Sequence, residues 1–441
     1  MSSPPIYQPG TFSLSRVASS ASLPAYSPRH SAHNSTGSRP STEHIFTLKN
    51  KKNKIWATLK VFSSAAIPAN LPTFLEGDKI DGTLSVKIPP NEKISEVSIL
   101  VRGEIITGSQ QQDSLCFLNI SVPLWSKISG AASPPLSGDY QWPFSIPIPK
   151  EVVLQDPGIP GGVRTYLLPQ TFLERNARSS AHYHISAKIT RSALVVLQND
   201  DELKTMFIYV PALRPEPPSL LRQLAYTSNT PIPGPEIDPQ GWHTCPAVVV
   251  RGSVFNNRAI EVQCVFSLSK PLSYTRGSAI PCSISYFCKD VQALNLLCTP
   301  TSTDVRLCRE VKCSTLNPWH DRSLFRTGNN DVQESGRAVW WPAHSGHRAQ
   351  DTRTFEGEIY LDKTLKPSSS ISHFTLMYFV VVMPFQVTGF AAANTQPLIR
   401  QEVQIGTIFA KVVRDLAVTL LTTRKLRGTS CCLVTSIVAS I

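Results

Sequence analysis

Residues 77–106 read GDKIDGTLSVKIPPNEKISEVSILVRGEII. Apolar and polar side chains alternate on both sides of the Pro-Pro-Asn segment at 89–91, and Val and Ile supply most of the apolar positions. Alternation with a period of two places every second side chain on one face of an extended chain, and proline and asparagine favour turns. This stretch therefore predicts two half-buried β-strands joined by a turn.

The same pattern recurs on both sides of this stretch. Apolar segments rich in Val, Ile, Tyr, Phe and Thr are separated by Gly, Pro, Asn or Asp, which is typical of many short strands. An all-β fold of the sandwich or barrel class is therefore expected, with one helical turn at 168–176 and a long surface loop at 316–353. The other predicted strands lie at 55–62, 114–125, 140–149, 181–191, 203–211, 247–255, 259–269, 279–290, 304–314, 354–362, 372–385 and 401–410.

Composition divides the chain into five parts. Residues 1–54 form a Ser- and Pro-rich basic arm without hydrophobic periodicity, which predicts disorder. Nine prolines at 211–246 predict a connector at 212–246 between two β-domains, 55–211 and 247–410. The tail 411–441 is apolar and contains cysteine; we interpret it as a gene-model artefact, with a membrane-touching amphipathic segment as the alternative.

The net charge of +12 suggests a nucleic-acid partner when it is taken alone. The arm 1–54 holds seven basic residues and one acidic residue, and the tail 411–441 holds five and one. Ten of the twelve net charges therefore lie at the two ends of the chain, and the predicted domains are nearly neutral. This distribution argues against a nucleic-acid partner and places a basic arm where it can meet anionic lipid or acidic peptides.

No segment of the sequence predicts secretion or a membrane span. The longest apolar run, FTLMYFVVVMPF at 374–385, is shorter than the roughly 20 residues of a spanning helix and contains a proline. We therefore expect a cytoplasmic protein whose ten cysteines stay reduced.

Potential metal ligands occur in two places. Cys308 and Cys313 precede three histidines, at 320, 344 and 347, but no second close pair accompanies them. His182 and His184 flank Tyr183, so they share one face of a strand. We expect buried or incidental thiols and a histidine pair that is either satisfied or solvent-facing, with no metal or other cofactor; a metal site is the less favoured alternative.

A short motif stands at the start of the arm, where Pro4-Pro5-Ile6-Tyr7 matches PPxY. Proline presets the backbone for polyproline II, which WW domains bind in an aromatic groove with a pocket for the tyrosine. We therefore predict that Pro4, Pro5 and Tyr7 bind a WW domain.

A second candidate for WW-domain binding is the LPxY variant Leu23-Pro24-Ala25-Tyr26. Two such motifs would allow bivalent binding to tandem WW domains. Between them, Arg16-Val17-Ala18-Ser19 suits a basophilic kinase, so Ser19 is a candidate phosphorylation site; an unmodified Ser-rich arm is the alternative.

Several phrases, taken in order, resemble the arrestin superfamily in its fungal α-arrestin branch, the arrestin-related trafficking adaptors. They include GDKIDGTLSV, YQWPFSIPIP, LPQTFLERNARSSAHYHISAKITRSAL and MFIYVPALRPEPPS in the first domain, and SLSKPLSYTRGSAIPCSIS, SISHFTLMYFVVVMPF and LIRQEVQIGTIFA in the second. The resemblance covers about residues 56–410 and implies two tandem arrestin-type, immunoglobulin-like β-sandwiches without a catalytic site. In many members the PY motifs follow the second domain, whereas here the clear one is N-terminal.

The resemblance also implies a function. The PPxY arm would recruit a HECT-type ubiquitin ligase through its WW domains, and the sandwiches would bind cytosolic regions of plasma-membrane transporters or receptors. The cargo would then be ubiquitinated, internalised and sorted at endosomes. The alternatives are a ligase-independent arrestin-fold scaffold in receptor signalling of the pH-response type or in endosomal trafficking, and a secreted sandwich enzyme. The PPxY motif favours the ligase adaptor over the ligase-independent scaffold. The absence of a predicted signal peptide disfavours the secreted enzyme, and no nucleophile-elbow, zinc-protease or phosphate-loop motif occurs.

Overall fold

A computed structural model provides the coordinates of the chain. It describes residues 41–50, 53–90, 92–107, 114–127, 136–156, 159, 161–174, 177, 179–191, 200–255, 258–313, 331–343 and 349–411.

The first set of strands runs from residue 42 to residue 210. Alternation of apolar and polar side chains is visible in most of them, so one face of each strand is buried. The strands are β1 (Thr42–Lys49), β2 (Ile55–Ser63), β3 (Thr73–Leu75), β4 (Lys79–Ile88), β5 (Ile94–Thr107), β6 (Ser114–Ser126), β7 (Gly138–Pro147), β8 (Glu151–Gln155), β9 (Val163–Leu167), β10 (Ser179–Arg191) and β11 (Asp201–Val210).

These strands form two main sheets and a small ribbon. The first sheet has the order β1-β2-β4-β7, the second β3-β11-β10-β5-β6, and β8 pairs with β9 alone. All pairings are antiparallel except that of β3 with β11. Leu59 and Leu84 from the first sheet and Val101, Tyr183 and Phe207 from the second are fully buried in one apolar cluster, as in a sandwich.

The second set runs from residue 242 to residue 406, and it is preceded by a short helix. The helices are α1 (Leu220–Ser228) and α2 (Val291–Leu297). The strands are β12 (Trp242–Thr244), β13 (Val248–Val254), β14 (Arg258–Ser269), β15 (Ser273–Thr275), β16 (Ala279–Phe287), β17 (Val305–Cys313), β18 (Asp331–Pro342), β19 (Thr352–Tyr360), β20 (Ser369–Ile371), β21 (Phe374–Val382), β22 (Phe390–Ala392) and β23 (Ile399–Gly406).

The second set forms a continuous sheet that curls over its own core. Its path is β15-β23-β21-β17-β18-β19-β16-β14-β13-β22, with β12 added to β14 and β20 added to β21. Phe266 and Ile284 from one half of this path and Leu307 and Tyr378 from the other are all fully buried. Strands of the two sets are not paired with one another in the described residues. The all-β prediction is therefore confirmed, with a β-sandwich-like architecture.

The most regular predicted strands coincide with observed ones. The stretch at 77–106 forms β4 and β5, and the apolar run at 372–385 forms β21. Their strict alternation or continuous apolar character is what a buried sheet face requires. Shorter strands such as β3, β15 and β22, of three residues each, were not predicted because so few residues show no period.

The predicted arm 1–54 is too long, because its last part forms β1. This strand pairs antiparallel with β2, and its His44 is buried and lies 2.9 Å from the hydroxyl of Ser63. The alternation of His44, Phe46 and Leu48 is a valid strand signal, but the basic and serine-rich composition around it obscured that signal. Residues 1–40, which hold the rest of the predicted arm, lie outside the described residues.

The predicted connector 212–246 contains regular structure and is attached to the second set. Helix α1 occupies the proline-free part between Pro218 and Pro231, with Ser219 as its N-cap and Asn229 in the left-handed conformation at its end. At its start, the amide of Leu213 donates to Thr407 Oγ1 at 2.9 Å. These contacts make the segment part of the packed body.

Two further expectations were wrong. The predicted surface loop at 316–353 contains β18. Its Val339, Trp340 and Trp341 are strong strand formers, but the polar composition of the whole segment masked their preference. The described residues of 168–176 contain no helix, and Phe172 forms an isolated β-bridge with Ala181 where a helical turn was expected. The first error came from judging a long segment by its polar composition, and the second from a segment too short to show a period.

We predict that Gly357→Ala destabilises the fold by about 1–3 kcal/mol through overpacking. Gly357 lies on β19 beside β18, and an added Cβ would lie 2.4 Å from Cε3 of Trp340 and 2.7 Å from the carbonyl oxygen of Val339. Urea unfolding followed by tryptophan fluorescence measures the change. Gly234→Ala is the control, because no atom lies within 4 Å of its added Cβ; equal stability of the two variants would contradict the close approach.

Candidate functional site

The predicted partner-binding residues belong to a part of the chain that the structure does not describe. Both WW-domain motifs and the candidate phosphorylation site fall within residues 1–40. The predictions for them therefore stay predictions. The residues concerned are Pro4, Pro5, Tyr7, Leu23, Pro24, Tyr26 and Ser19.

A charged pair joins the two sets of strands. Glu174 lies in the extended segment before β10, and Arg309 lies on β17. Arg309 Nη1 donates to Glu174 Oε1 and Nη2 donates to Oε2, both at 2.7 Å, so the pair is bidentate. Gln333 on β18 accepts a further bond from Arg309 at 2.7 Å. The Arg309 side chain is only 9% exposed and that of Glu174 30% exposed, so solvent screens this pair weakly.

Aromatic and polar contacts surround the pair. The Arg309 guanidinium lies 5.6 Å from the ring centroid of Phe172, and that ring lies 5.5 Å from Phe374 of β21. Nearby, Arg276 Nη1 donates to Gln170 Oε1 at 3.2 Å, a second bond between the two sets. Burial lowers the pKa of Lys366, whose carbonyl accepts from Tyr378. The junction therefore combines an ion pair with aromatic packing.

This junction could not be found by sequence reasoning. Glu174 and Arg309 are 135 residues apart, and neither lies in a motif with recognisable spacing. The ion pair can hold the two sets of strands in one orientation. An anionic group that reached Arg309 would compete with Glu174 for the guanidinium.

We predict that Glu174→Gln lowers the free energy of unfolding by about 1–3 kcal/mol, because a hydrogen bond to a charged group is lost at a buried guanidinium. Urea denaturation measures this loss. A double-mutant cycle with Arg309→Gln should give a coupling energy that stabilises the native state, since the two groups contact directly.

Glu261→Gln provides the matched control for the junction. Glu261 accepts from Arg251 at 2.8 Å, but both side chains are about two-thirds exposed, so its loss should cost less than about 1 kcal/mol. If Glu174→Gln and Glu261→Gln cost the same, the junction contributes no more than an ordinary surface pair.

The histidine pair noted in the sequence lies beside a carboxylate. His182 and His184 share one face of β10, and Glu104 comes from the adjacent strand β5, directly opposite His182. The Nε2 atom of His182 lies 3.4 Å from Glu104 Oε2. Burial lowers the pKa of His182 and lowers that of His184 to about 4, so neutral imidazoles are favoured at pH 7. Among the described residues, these three form the group that could hold a metal ion.

The described cysteines do not form such a group. All eight are free thiols, and five of them are buried: Cys245, Cys264, Cys282, Cys288 and Cys298. Burial raises the pKa of Cys264 to about 12 and raises those of Cys282 and Cys298 well above the usual range. Because the thiolate is the reactive form, these side chains are inert in the folded protein. Within the described residues, the expectation of buried thiols therefore holds for these five.

We predict that Cys264, Cys282 and Cys298 react with iodoacetamide at least about tenfold more slowly in the native protein than in denaturant, because burial keeps the thiol protonated. Peptide mapping by mass spectrometry follows each site. Native labelling of Cys282 at the denatured rate would contradict its burial, and failure to label in denaturant without reductant would show a disulfide.

An apolar patch is exposed on and next to α1. We define the α1 patch as Leu220, Leu221, Leu224 and Ile237, whose side chains are all more than a third exposed. Clustered exposed apolar side chains are typical of protein-interaction surfaces. None of the helices in the described part of the chain is long and apolar enough to cross a membrane.

Comparison of the sequence with protein-family models and with curated proteins finds no match in either case. The motifs of the sequence and the geometry of the described residues therefore carry the functional conclusion.

Proposed function

We propose that this chain is an adaptor of the arrestin type that connects a WW-domain HECT ubiquitin ligase with the cytosolic regions of membrane transporters or receptors. It has no catalytic role of its own in this proposal; it raises the local concentration of cargo at another enzyme. The outcome would be ubiquitination, endocytosis and endosomal sorting of the cargo, with the adaptor recruited from the cytoplasm to the plasma membrane and endosomes.

The single observation that carries the proposal is the PPxY motif at Pro4–Tyr7. Two prolines in succession favour polyproline II before binding, so little conformational entropy is lost on docking. The tyrosine two positions after the second proline then reaches a separate pocket of the WW domain. The position between them, Ile6, carries no such requirement.

The all-β body supports the second half of the proposal. Two sets of strands joined by Glu174 and Arg309 give a broad scaffold with surfaces at several edges. The α1 patch is one apolar surface on which a cargo segment can dock. A body of this kind suits an adaptor, because it can hold a cargo segment while the N-terminal motif binds the ligase.

Basic residues between β1 and β2, at the end of the predicted arm, support recruitment to a membrane. Lys49 and Lys54, at the end of β1 and just before β2, are exposed. Clusters of basic side chains are attracted to the anionic cytoplasmic leaflet by about 1 kcal/mol each at close range. The arm would thus lie near the cargo while the motif at its start binds the ligase.

We predict that immobilised WW domains of HECT ligases capture at least about tenfold less of the full-length double variant Tyr7→Ala, Tyr26→Ala than of the wild type. The reason is that the tyrosine pocket of the WW domain is left empty. Pulldown on a WW-domain array measures this. The single variants separate the two motifs: if both bind, each single change should reduce avidity on tandem domains by less than the double change.

Ile6→Ala is the matched control, since it alters the variable position of the same motif and should bind as the wild type does. Equal capture of the wild type and the double variant would remove ligase recruitment from the proposal and leave a ligase-independent scaffold. Measuring urea unfolding of all variants excludes a change in the body as the cause.

A further inference from the structure

We propose that Glu104, His182 and His184 form a binding site for a first-row transition-metal ion of the zinc type. Each residue offers one ligand atom, and the three atoms lie within 4.8 Å of one another. Two imidazoles and one carboxylate are a donor set that Zn²⁺ accepts in proteins. This inference is independent of the proposed adaptor function.

The strand register brings the three ligands together. His182 and His184 are two residues apart on β10, so both side chains project from the same face. Glu104 is opposite His182 on β5, and the rings of the two histidines lie 6.3 Å apart with an angle of 28° between their planes. A metal here would be bound by neighbouring strands of the five-stranded sheet, whose backbone positions are fixed by the ladder.

The distance between the two half-buried ligands matches a tetrahedral site. Ligand atoms about 2.0–2.2 Å from a tetrahedral Zn²⁺ lie about 3.4 Å from each other. The Nε2 atom of His182 and Oε2 of Glu104 are 3.4 Å apart. The same separation also allows a long hydrogen bond between the two groups when no metal is bound, and it lets both atoms become ligands of one ion with little movement.

The third ligand has a nitrogen without a partner. His184 is only 2% exposed, and its Nδ1 atom is buried with no hydrogen-bond partner. A buried polar atom without a partner costs about 1–3 kcal/mol in general, so such atoms are rare in folded proteins. A metal ion held by the imidazole would account for this histidine in the interior of the structure.

A second layer of contacts fixes the carboxylate. Arg102 Nε lies 2.9 Å from Glu104 Oε1, which leaves Oε2 directed at His182. Arg102 Nε also donates to the sulfur of Cys116 at 3.3 Å. Ordering of a ligand by outer contacts is common in metal sites and strengthens binding. Lys204 on β11 is the other nearby cation; it is exposed, so its charge opposes the metal but can turn toward solvent.

The experiment uses the full-length protein, stripped with chelator and titrated with Zn²⁺ in competition with a chromophoric chelator. One ion per chain is expected at this site. His182→Gln, His184→Gln and Glu104→Gln should each weaken binding at least about tenfold. Lys204→Gln should strengthen it, because a repelling charge is removed. His243→Gln is the matched control: this histidine of β12 bonds to Gln401 at 3.0 Å, and its loss should leave the affinity unchanged.

Co²⁺ identifies the ligand atoms independently of affinity. A site of nitrogen and oxygen ligands gives visible d–d bands without a sulfur-to-cobalt charge-transfer band, whereas binding by the cysteines gives that band. A thiolate band, equal affinity of wild type and all three ligand variants, or no Zn²⁺ binding by the wild type would overturn the proposal.

Folding is checked by circular dichroism and thermal unfolding of each variant. If His184→Gln does not fold, Glu104→Gln and His182→Gln, which change half-buried side chains, decide the result. Zn²⁺ should also raise the unfolding temperature of the wild type and of His243→Gln but not of the ligand variants, since a ligand that binds only the native state stabilises it.

Discussion

The bidentate pair of Glu174 and Arg309 is the interaction on which the arrangement of the two strand sets depends. No ladder joins the sets in the described residues, so this pair is the strongest of the direct side-chain links between them, beside the Arg276–Gln170 bond and the Phe172–Phe374 contact. An ion pair alone is a weak stabiliser, because desolvation offsets much of its attraction. Here the guanidinium also lies over Phe172 and donates to Gln333, so Glu174, the aromatic ring and the amide oxygen all stabilise its charge. The junction therefore connects one defined position of the first set with one defined position of the second.

Much of the fold followed from local pattern. The alternation at 77–106 and the apolar run at 372–385 predicted β4, β5 and β21, because a buried sheet face imposes its period directly on the sequence. Helix α1 also had local signals, Ser219 at one end and Asn229 at the other, but the surrounding prolines hid them. Strand β1 was missed in the same way inside a basic, serine-rich segment.

The candidate sites were less predictable, because they consist of residues distant in sequence. The histidine pair on β10 was visible as a motif, but Glu104 reaches it only through the pairing of β5 with β10. Glu174 and Arg309 meet across the two strand sets. Strand register and the packing of one set against the other determine such contacts. Neither produces a periodicity or residue spacing that can be seen in a single sequence.

The fold and the partner motif carry separate parts of the functional argument. A PPxY ligand binds as an extended peptide, so its recognition needs no tertiary structure. The packing of the β-strands therefore gives no information about it. The reverse also holds: a sandwich-like body can serve many functions, and its architecture does not select one. Net charge fits this division, since residues 1–54 and 411–441 together carry ten units of the net charge of +12. In the proposed adaptor, this separation would let the N-terminal motif bind the ligase without disturbing the surface that holds the cargo.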